Sequence, residues 1–347
     1  MSELDELLAS VRAAAAKYSD HDARRRIMDS ELGYDPTLWR VLCEIGVAAL
    51  AIPEEYGGVG VTNVESFAVV AELASTLVHT PLLASAVLCG QTLLALDDAH
   101  ARAALLPGIA DGTTIATLCI AGGAGNWSGS GVRCDDGKLS GTAHYVLDGA
   151  AAEVLIVVAG DTGTPSFHTV DPTAAGVTVH PTPSLDPTRP LARIEFRQAP
   201  ARQLTTADPT AVLDRLHRVA AAALAAEQSG AAAGCLRTTV DYTKTRVQFG
   251  RPIGSFQALK HRMADLHVLV ESARSIAHAA ATLDPTTVAA ARVHCTDTFN
   301  RVAAESIQLH GGIAITWEHD AHLYFKRAHA DSRLFGTASE WLRRMPV

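Results

Sequence analysis

Cysteine is scarce and unpaired in this chain. Its six cysteines (Cys43, Cys89, Cys119, Cys134, Cys235 and Cys295) are scattered over 347 residues with no Cys-x-x-Cys pair. That spacing excludes a disulfide framework and a thiolate metal site, and predicts reduced, mostly buried thiols of a cytoplasmic protein. None of the 15 histidines falls in a His-x-x-x-His or His-Glu-x-x-His pattern, so no metal is expected. Positive charge is in deficit: 29 Lys and Arg against 37 Asp and Glu leave a net charge of −8, which argues against a nucleic-acid partner. No apolar run reaches the ~18 to 20 residues of a membrane span. The acidic start, Ser2-Glu-Leu-Asp-Glu6, is unlike a secretory leader. Aromatic residues make up only 5%, a scarcity compatible with close helix packing.

What remains is long enough for two to three domains. Residues 1 to 112 read as helical: Leu7, Val11 and Ala14, then Leu38, Val41, Leu42 and Ile45, recur at helical spacing. A turn at Tyr56-Gly-Gly58 interrupts them, and Thr62-Asn-Val-Glu65 has the form of a capping box. From 113 to 206 the texture becomes that of strands. Ile115 to Ile120, Lys138 to Val146, Val154 to Ala159, Ser166 to Val170 and Leu191 to Phe196 predict a small antiparallel β-domain or barrel. Residues 207 to 347 return to helix, in segments at about 210–247, 256–283, 286–309 and 318–344 that predict a four-helix bundle.

The most information-dense run is Lys244-Thr-Arg-Val-Gln-Phe-Gly-Arg-Pro-Ile-Gly-Ser-Phe-Gln257. Arg246 falls in the last turn of a helix, where a cation complements the macrodipole. Gly250, Pro252 and Gly254 mark a tight connection, and Ser255 is the expected N-cap of the next helix. A fixed guanidinium beside a carboxamide suits a phosphate-bearing ligand. The same residues also fit a plain helical corner.

The pattern Arg-x-x-Phe-Gly-x-Pro-Ile-x-x-Phe-Gln over Arg246 to Gln257 resembles the signature of FAD-dependent acyl-CoA dehydrogenases. Gln308-Leu-His-Gly-Gly-Ile-Ala-Ile-Thr316 is similar to that family's Gln-x-x-Gly-Gly-x-x-x-Thr loop, and Pro53-Glu-Glu-Tyr-Gly-Gly58 to its Pro-Glu-x-x-Gly-Gly element. The resemblance implies a mainly α fold with a central β-domain: a helical N-terminal domain, a small antiparallel β-barrel and a C-terminal four-helix bundle. It also implies FAD shared across a subunit interface. Arg246 would pair with the pyrophosphate, Phe249 would pack against the cofactor and Gln257 would hydrogen-bond it. Gly311 and Gly312 would let backbone approach, Gln308 would support that loop, and Thr316 and Thr337 are lesser carry-overs.

The family's chemistry needs a carboxylate base, an oriented flavin and donors polarising the thioester. The usual base position, in a Tyr-Glu-Gly-Thr segment, falls on Phe335 of Leu334-Phe-Gly-Thr337; the alternative, on the first bundle helix, falls on Ala220. Neither accepts a proton. The nearest carboxylates are Asp214 and Glu227, the latter about two turns further along. The loop over flavin and substrate is replaced by the flexible-looking Cys119-Ile-Ala-Gly-Gly-Ala-Gly-Asn-Trp-Ser128, and Leu147 replaces a flavin-contacting hydroxyl. The expectation is a base-lacking subunit of a heteromeric enzyme, resembling actinobacterial steroid-type acyl-CoA dehydrogenases. A catalytic partner in an α2β2 assembly would hold the acyl-CoA, with electron-transfer flavoprotein as acceptor. The segment Trp317-Glu-His-Asp-Ala-His-Leu-Tyr324 also resembles that branch. Two rivals stand beside this reading: a self-sufficient homo-oligomer with Glu227 as a relocated base, and a non-redox acyl-CoA or FAD-binding scaffold.

Overall fold

Local capping chemistry delimits the helices of the N-terminal part. The computed structural model describes residues 2–127, 129–160 and 163–344. Ser2 and Asp5 form a reciprocal capping box at the start of α1 (Glu3–Tyr18), and Asp20 caps α2 (His21–Met28). Asp35 caps α3 (Pro36–Ile45), which has proline in its first turn and ends on Gly46 at φ +96°. After α4 (Asn63–Ala74), a π-helical stretch, Leu83–Cys89, leads into α5 (Gly90–Ala95) and then α6 (Ala99–Ala110). Thr62 hydrogen-bonds Glu65 side chain to side chain and accepts from the Val64 N–H, a looser arrangement than the expected box.

Contacts divide the chain into two compact units, Met1–Ser66 with His79–Ala220, and Phe67–Val78 with Ala221–Val347. The first holds two four-stranded sheets. One runs β1 (Ala116–Cys119), β4 (Val154–Ala159), β5 (Ser166–Val170), β8 (Arg202–Leu204); the other runs β2 (Val132–Asp135), β3 (Lys138–Leu147), β7 (Leu191–Pro200), β6 (Val177–Thr182). Cys119, Leu155 and Val157 from one sheet and Leu139, Val146, Ile194 and Phe196 from the other share one core, so the two sheets are layers of a sandwich. The helix, sheet, helix order is the one expected, but the sheets are not purely antiparallel. β1 pairs with β4 in parallel, Ala116 opposite Val154. A parallel pair needs a long crossover, and here that connection supplies β2 and β3 of the opposite sheet.

The second unit contains α7 (Pro209–Thr245) from Ala221 onward, with α8 (Gln257–Ala280), α9 (Pro285–His310), α10 (Ala321–Asp331) and α11 (Ala338–Arg343). α7 includes an 18-residue window apolar and long enough to cross a membrane, contrary to the expectation that no such stretch exists; 94% of it is buried within the protein. Its small residues bring it close to its neighbours. A Cβ on Gly230 would lie 2.0 Å from the Ala71 carbonyl oxygen, and one on Gly234 1.7 Å from that of Ser75. The segment expected as one last helix is two, because the chain turns at Phe335 (φ +56°) and Gly336 (φ +97°).

Candidate functional site

The helical corner is a hairpin. The Arg246 N–H donates to the Tyr242 carbonyl (2.9 Å), after which β9 (Val247–Gln248) pairs antiparallel with β10 (Arg251–Pro252). Phe249 and Gly250 occupy the turn at φ +53° and +76°, the two positive values that a two-residue hairpin of matching twist requires. This geometry pushes the Phe249 ring outward, where it is 92% exposed. The Arg251 guanidinium lies 3.9 Å from the centre of the Phe256 ring, stiffening the hairpin base. Ser255 does not cap α8: its hydroxyl donates back to the Pro252 carbonyl (2.7 Å), and the N-cap residue is Phe256, which offers no side-chain acceptor. The first-turn amides of α8, with Gln257 exposed at its start, therefore carry no side-chain cap.

The Arg246 side chain is exposed and makes no ion pair among the described residues. Gln308 is exposed on the last turn of α9, and Gly311 (φ +67°) and Gly312 follow it, also exposed. A Cβ added at Gly311 or Gly312 would meet no atom within 4 Å. Packing inside the chain therefore does not require glycine at Gly312; the room there is available to a group from outside. A free guanidinium, uncapped amides at the start of a 24-residue helix and an open glycine pair fit the phosphates of a dinucleotide such as FAD.

Three residues assigned no individual role from the sequence join these parts. The Tyr242 hydroxyl donates to the His310 carbonyl (3.2 Å), and the two rings stack at 4.4 Å. The His319 ring lies 4.4 Å from that of His310 and meets Tyr242 edge-on at 6.0 Å. The available signal was a tyrosine one helical turn before Arg246 and a histidine directly before the glycine pair. Trp317, in contrast, stays 60% exposed, with Lys326 4.7 Å from its ring centre and His322 packed edge-on against it.

The expected base positions are hydrocarbon and dry. Ala220 and Phe335 are both buried. The loop carrying Phe335 is held by the fully buried Arg292, whose guanidinium donates to the carbonyls of Asp331 (2.7 Å), Leu334 (2.9 Å) and Gly336 (3.1 Å). Burial pulls the Arg292 guanidinium down to about 10, opposed by the Asp331 carboxylate. Thr337 caps α11 through a box with Glu340, and the Thr316 hydroxyl donates to the Ile313 carbonyl, so both threonines serve local turns. Asp214 is exposed. Glu227 is buried and its Oε1 accepts from Nη1 of Arg327 at 2.7 Å. Leu147 is buried and its carbonyl accepts from the Thr117 hydroxyl. The glycine-rich run after Cys119 is less loose than expected: Gly122 donates to the Asn126 carbonyl (2.8 Å), and His217 Nε2 lies 3.0 Å from the Trp127 carbonyl. Ser128 lies outside the described residues.

Models of the acyl-CoA dehydrogenase N-terminal domain and C-terminal domain match residues 1–113 and 211–345. The acyl-CoA dehydrogenase IpdE2 of Mycolicibacterium smegmatis is 43% identical over 99% of this chain and 98% of its own length. Among solved structures, a variant of the Tcur3481-Tcur3483 steroid ACAD superposes with a TM-score of 0.90 at 30% identity, covering 99% of this chain and 96% of that one. The ChsE4-ChsE5 complex from Mycobacterium tuberculosis gives a TM-score of 0.89 at 27% identity, covering 99% and 96%.

Proposed function

The chain belongs to the acyl-CoA dehydrogenase family of FAD-dependent oxidoreductases, and on that premise we propose that it is the non-catalytic subunit of a heteromeric enzyme. It lends one half of an FAD site to a catalytic partner, in an α2β2 assembly of the cytoplasm. The carrying observation is the contrast between its two halves. Arg246, Phe249, Gln257, Gln308, Gly311 and Gly312 are all exposed, while Phe335 and Ala220 are buried apolar residues where a base would stand.

Arg246 and the first amides of α8 would hold the pyrophosphate, with Gln257 hydrogen-bonding beside it. Gly311 and Gly312 would admit the cofactor against backbone, and Phe249 would cover its apolar surface. FAD, when bound, supplies the acceptor for the hydride leaving the β-carbon of the acyl-CoA as a base removes the α-proton. The base and the thioester site belong to the partner, and electron-transfer flavoprotein is the expected oxidant of the reduced complex. Two of the structural neighbours carry names that describe a two-component steroid ACAD and a two-component complex, which favours a partner of the same family and a steroid-derived CoA ester as substrate.

Expression of the chain alone and with a base-containing acyl-CoA dehydrogenase tests the reading. Alone, the chain should be colourless and inactive. Co-expressed, it should give a mixed complex with flavin, and Arg246→Ala should lower flavin retention. A yellow homomer that oxidises acyl-CoA by itself would refute it.

A further inference from the structure

Within the segment Trp317 to Tyr324, His319 meets the histidine beside the glycine pair. Their geometry is specific. Tyr242 binds through three of its parts: its backbone carbonyl accepts from Arg246, its ring stacks on His310, and its hydroxyl reaches the His310 carbonyl, one peptide before Gly311. One turn earlier on α7, the Thr239 hydroxyl meets that of Ser306 at 2.8 Å. His319 completes the cluster from beside the pair, 4.4 Å from His310 and edge-on to Tyr242.

We propose that Tyr242, His310 and His319 are positioning residues that lock the Gly311–Gly312 loop to the corner carrying Arg246, so that the cofactor-facing groups present themselves as one rigid piece. This rests on the reading of that surface as half of an FAD site. Without the lock, the hairpin and the loop are separate exposed segments, and ordering them would be charged against binding.

The hydrogen bonds also fix which protonation state the lock needs. His310 Nδ1 is 2.8 Å from the Ser306 carbonyl and so carries the proton, while its buried Nε2 has no hydrogen-bond partner. His319 Nδ1 accepts from the Ala321 N–H at 3.1 Å, which places any proton of the neutral ring on Nε2. The His310 ring is therefore neutral in this arrangement. A second proton, on His310 Nε2, would sit unpaired in the interior. Burial already holds His310 below the ordinary histidine value, against the Ser306 carbonyl, which favours the proton, and with a smaller push from His319. The titratable side chains touching His310 are Tyr242 from α7 and His319 from the loop before α10, and neither is a carboxylate that would favour the charged ring. Acid thus unlocks the loop.

The test uses the co-purified complex with its partner. Tyr242→Phe deletes one hydroxyl and keeps the stack, and His319→Leu removes the outer ring. Amide hydrogen exchange across residues 311–316 should quicken in both variants while α8 and α9 keep their protection. The FAD dissociation constant should rise about three- to tenfold for Tyr242→Phe, the equivalent of one neutral hydrogen bond. In the unaltered complex FAD should bind more weakly as pH falls from 7.5 to 5.5, and His310→Gln should flatten that dependence. Unchanged exchange in both variants overturns the lock. Faster exchange with unchanged FAD affinity overturns the positioning role, provided Arg246→Ala weakens binding in the same assay. If Arg246→Ala leaves affinity unchanged, the reading of the surface as an FAD site falls, and the positioning role with it.

Discussion

Glu227→Gln separates a structural carboxylate from a relocated base. In the structure the Glu227 and Arg327 side chains are 7% and 2% exposed and 2.7 Å apart. Two charges in that setting are costly to desolvate, and breaking such a pair by neutralising one member costs about 3–5 kcal/mol. Glutamine still offers an oxygen to Arg327, so the lower end, about 3 kcal/mol, is expected. At about 2–4 °C per kcal/mol for 150–250 residues, and less for a larger body, the transition should fall by up to about 6–12 °C. The double substitution Glu227→Met with Arg327→Met removes both charges and fills similar volume, so it should recover most of that loss. Scanning calorimetry of the complex gives the transition, and turnover normalised to bound flavin gives the chemistry. The reasoning requires a lower transition with turnover per flavin within about twofold of the unaltered complex, far inside the ~1.4 kcal/mol that a tenfold rate change represents. An unchanged transition with collapsed turnover and intact flavin would make Glu227 the base and refute it.

Two glycines should respond in opposite ways. Gly234→Ala drives a Cβ into the Ser75 carbonyl and should destabilise by about 1–3 kcal/mol or more, seen as a lower melting temperature. Gly312→Ala meets nothing and should leave melting unchanged, yet weaken FAD binding in the complex. Burial works against ionisation of Asp98, but the N–H groups of Ala101 and Thr205 and the Arg202 guanidinium outweigh it and hold the carboxyl below 3.8. Its contribution is therefore present above about pH 4, the ordinary aspartate value, and is lost as pH falls through the lower folded-state value. Asp98→Asn should flatten the acid limb of a pH–melting curve and cost about 1–3 kcal/mol at neutral pH. Burial pushes the thiols of Cys235 and Cys295 up to about 12. Native-state alkylation at pH 8, read by mass spectrometry, should spare both and label the partly exposed Cys134 first.

The succession of helix, strand and helix was legible because each periodicity is local. β4 and β5 have the expected bounds, since Val154–Ala159 and Ser166–Val170 are short β-rich runs between turn residues. β6, with His180 and Pro181 in a half-exposed edge strand, has no such signature. Nor could the parallel pairing of β1 with β4 be read, because pairing across a crossover leaves no trace in either strand alone. The break before α11 depends on Phe335 taking a left-handed conformation that phenylalanine rarely adopts, enforced by Arg292 from another helix. The residues Arg246 to Gln257 and Gln308 to Gly312 made the candidate site legible because their types are unusual together. Tyr242, His310 and His319 were missed because each is ordinary until the fold stacks them. Arg292 was readable in principle, as a lone cation among the inward-facing Val288, Ala289, Ala291 and Cys295 of α9.

α7 also bears on the order of synthesis. It leaves the ribosome with a window long and apolar enough, by length and composition, to cross a membrane. Although Phe67–Val78 precedes it, the other helices of its unit, α8 to α11, occupy the roughly 100 residues that follow. At about 5–20 residues per second its apolar surface waits on the order of 5 to 20 s for cover. Apolar surface exposed for such an interval favours association with chaperones and aggregation. Slowing elongation after Thr245 should raise losses of this chain more than slowing it before Pro209.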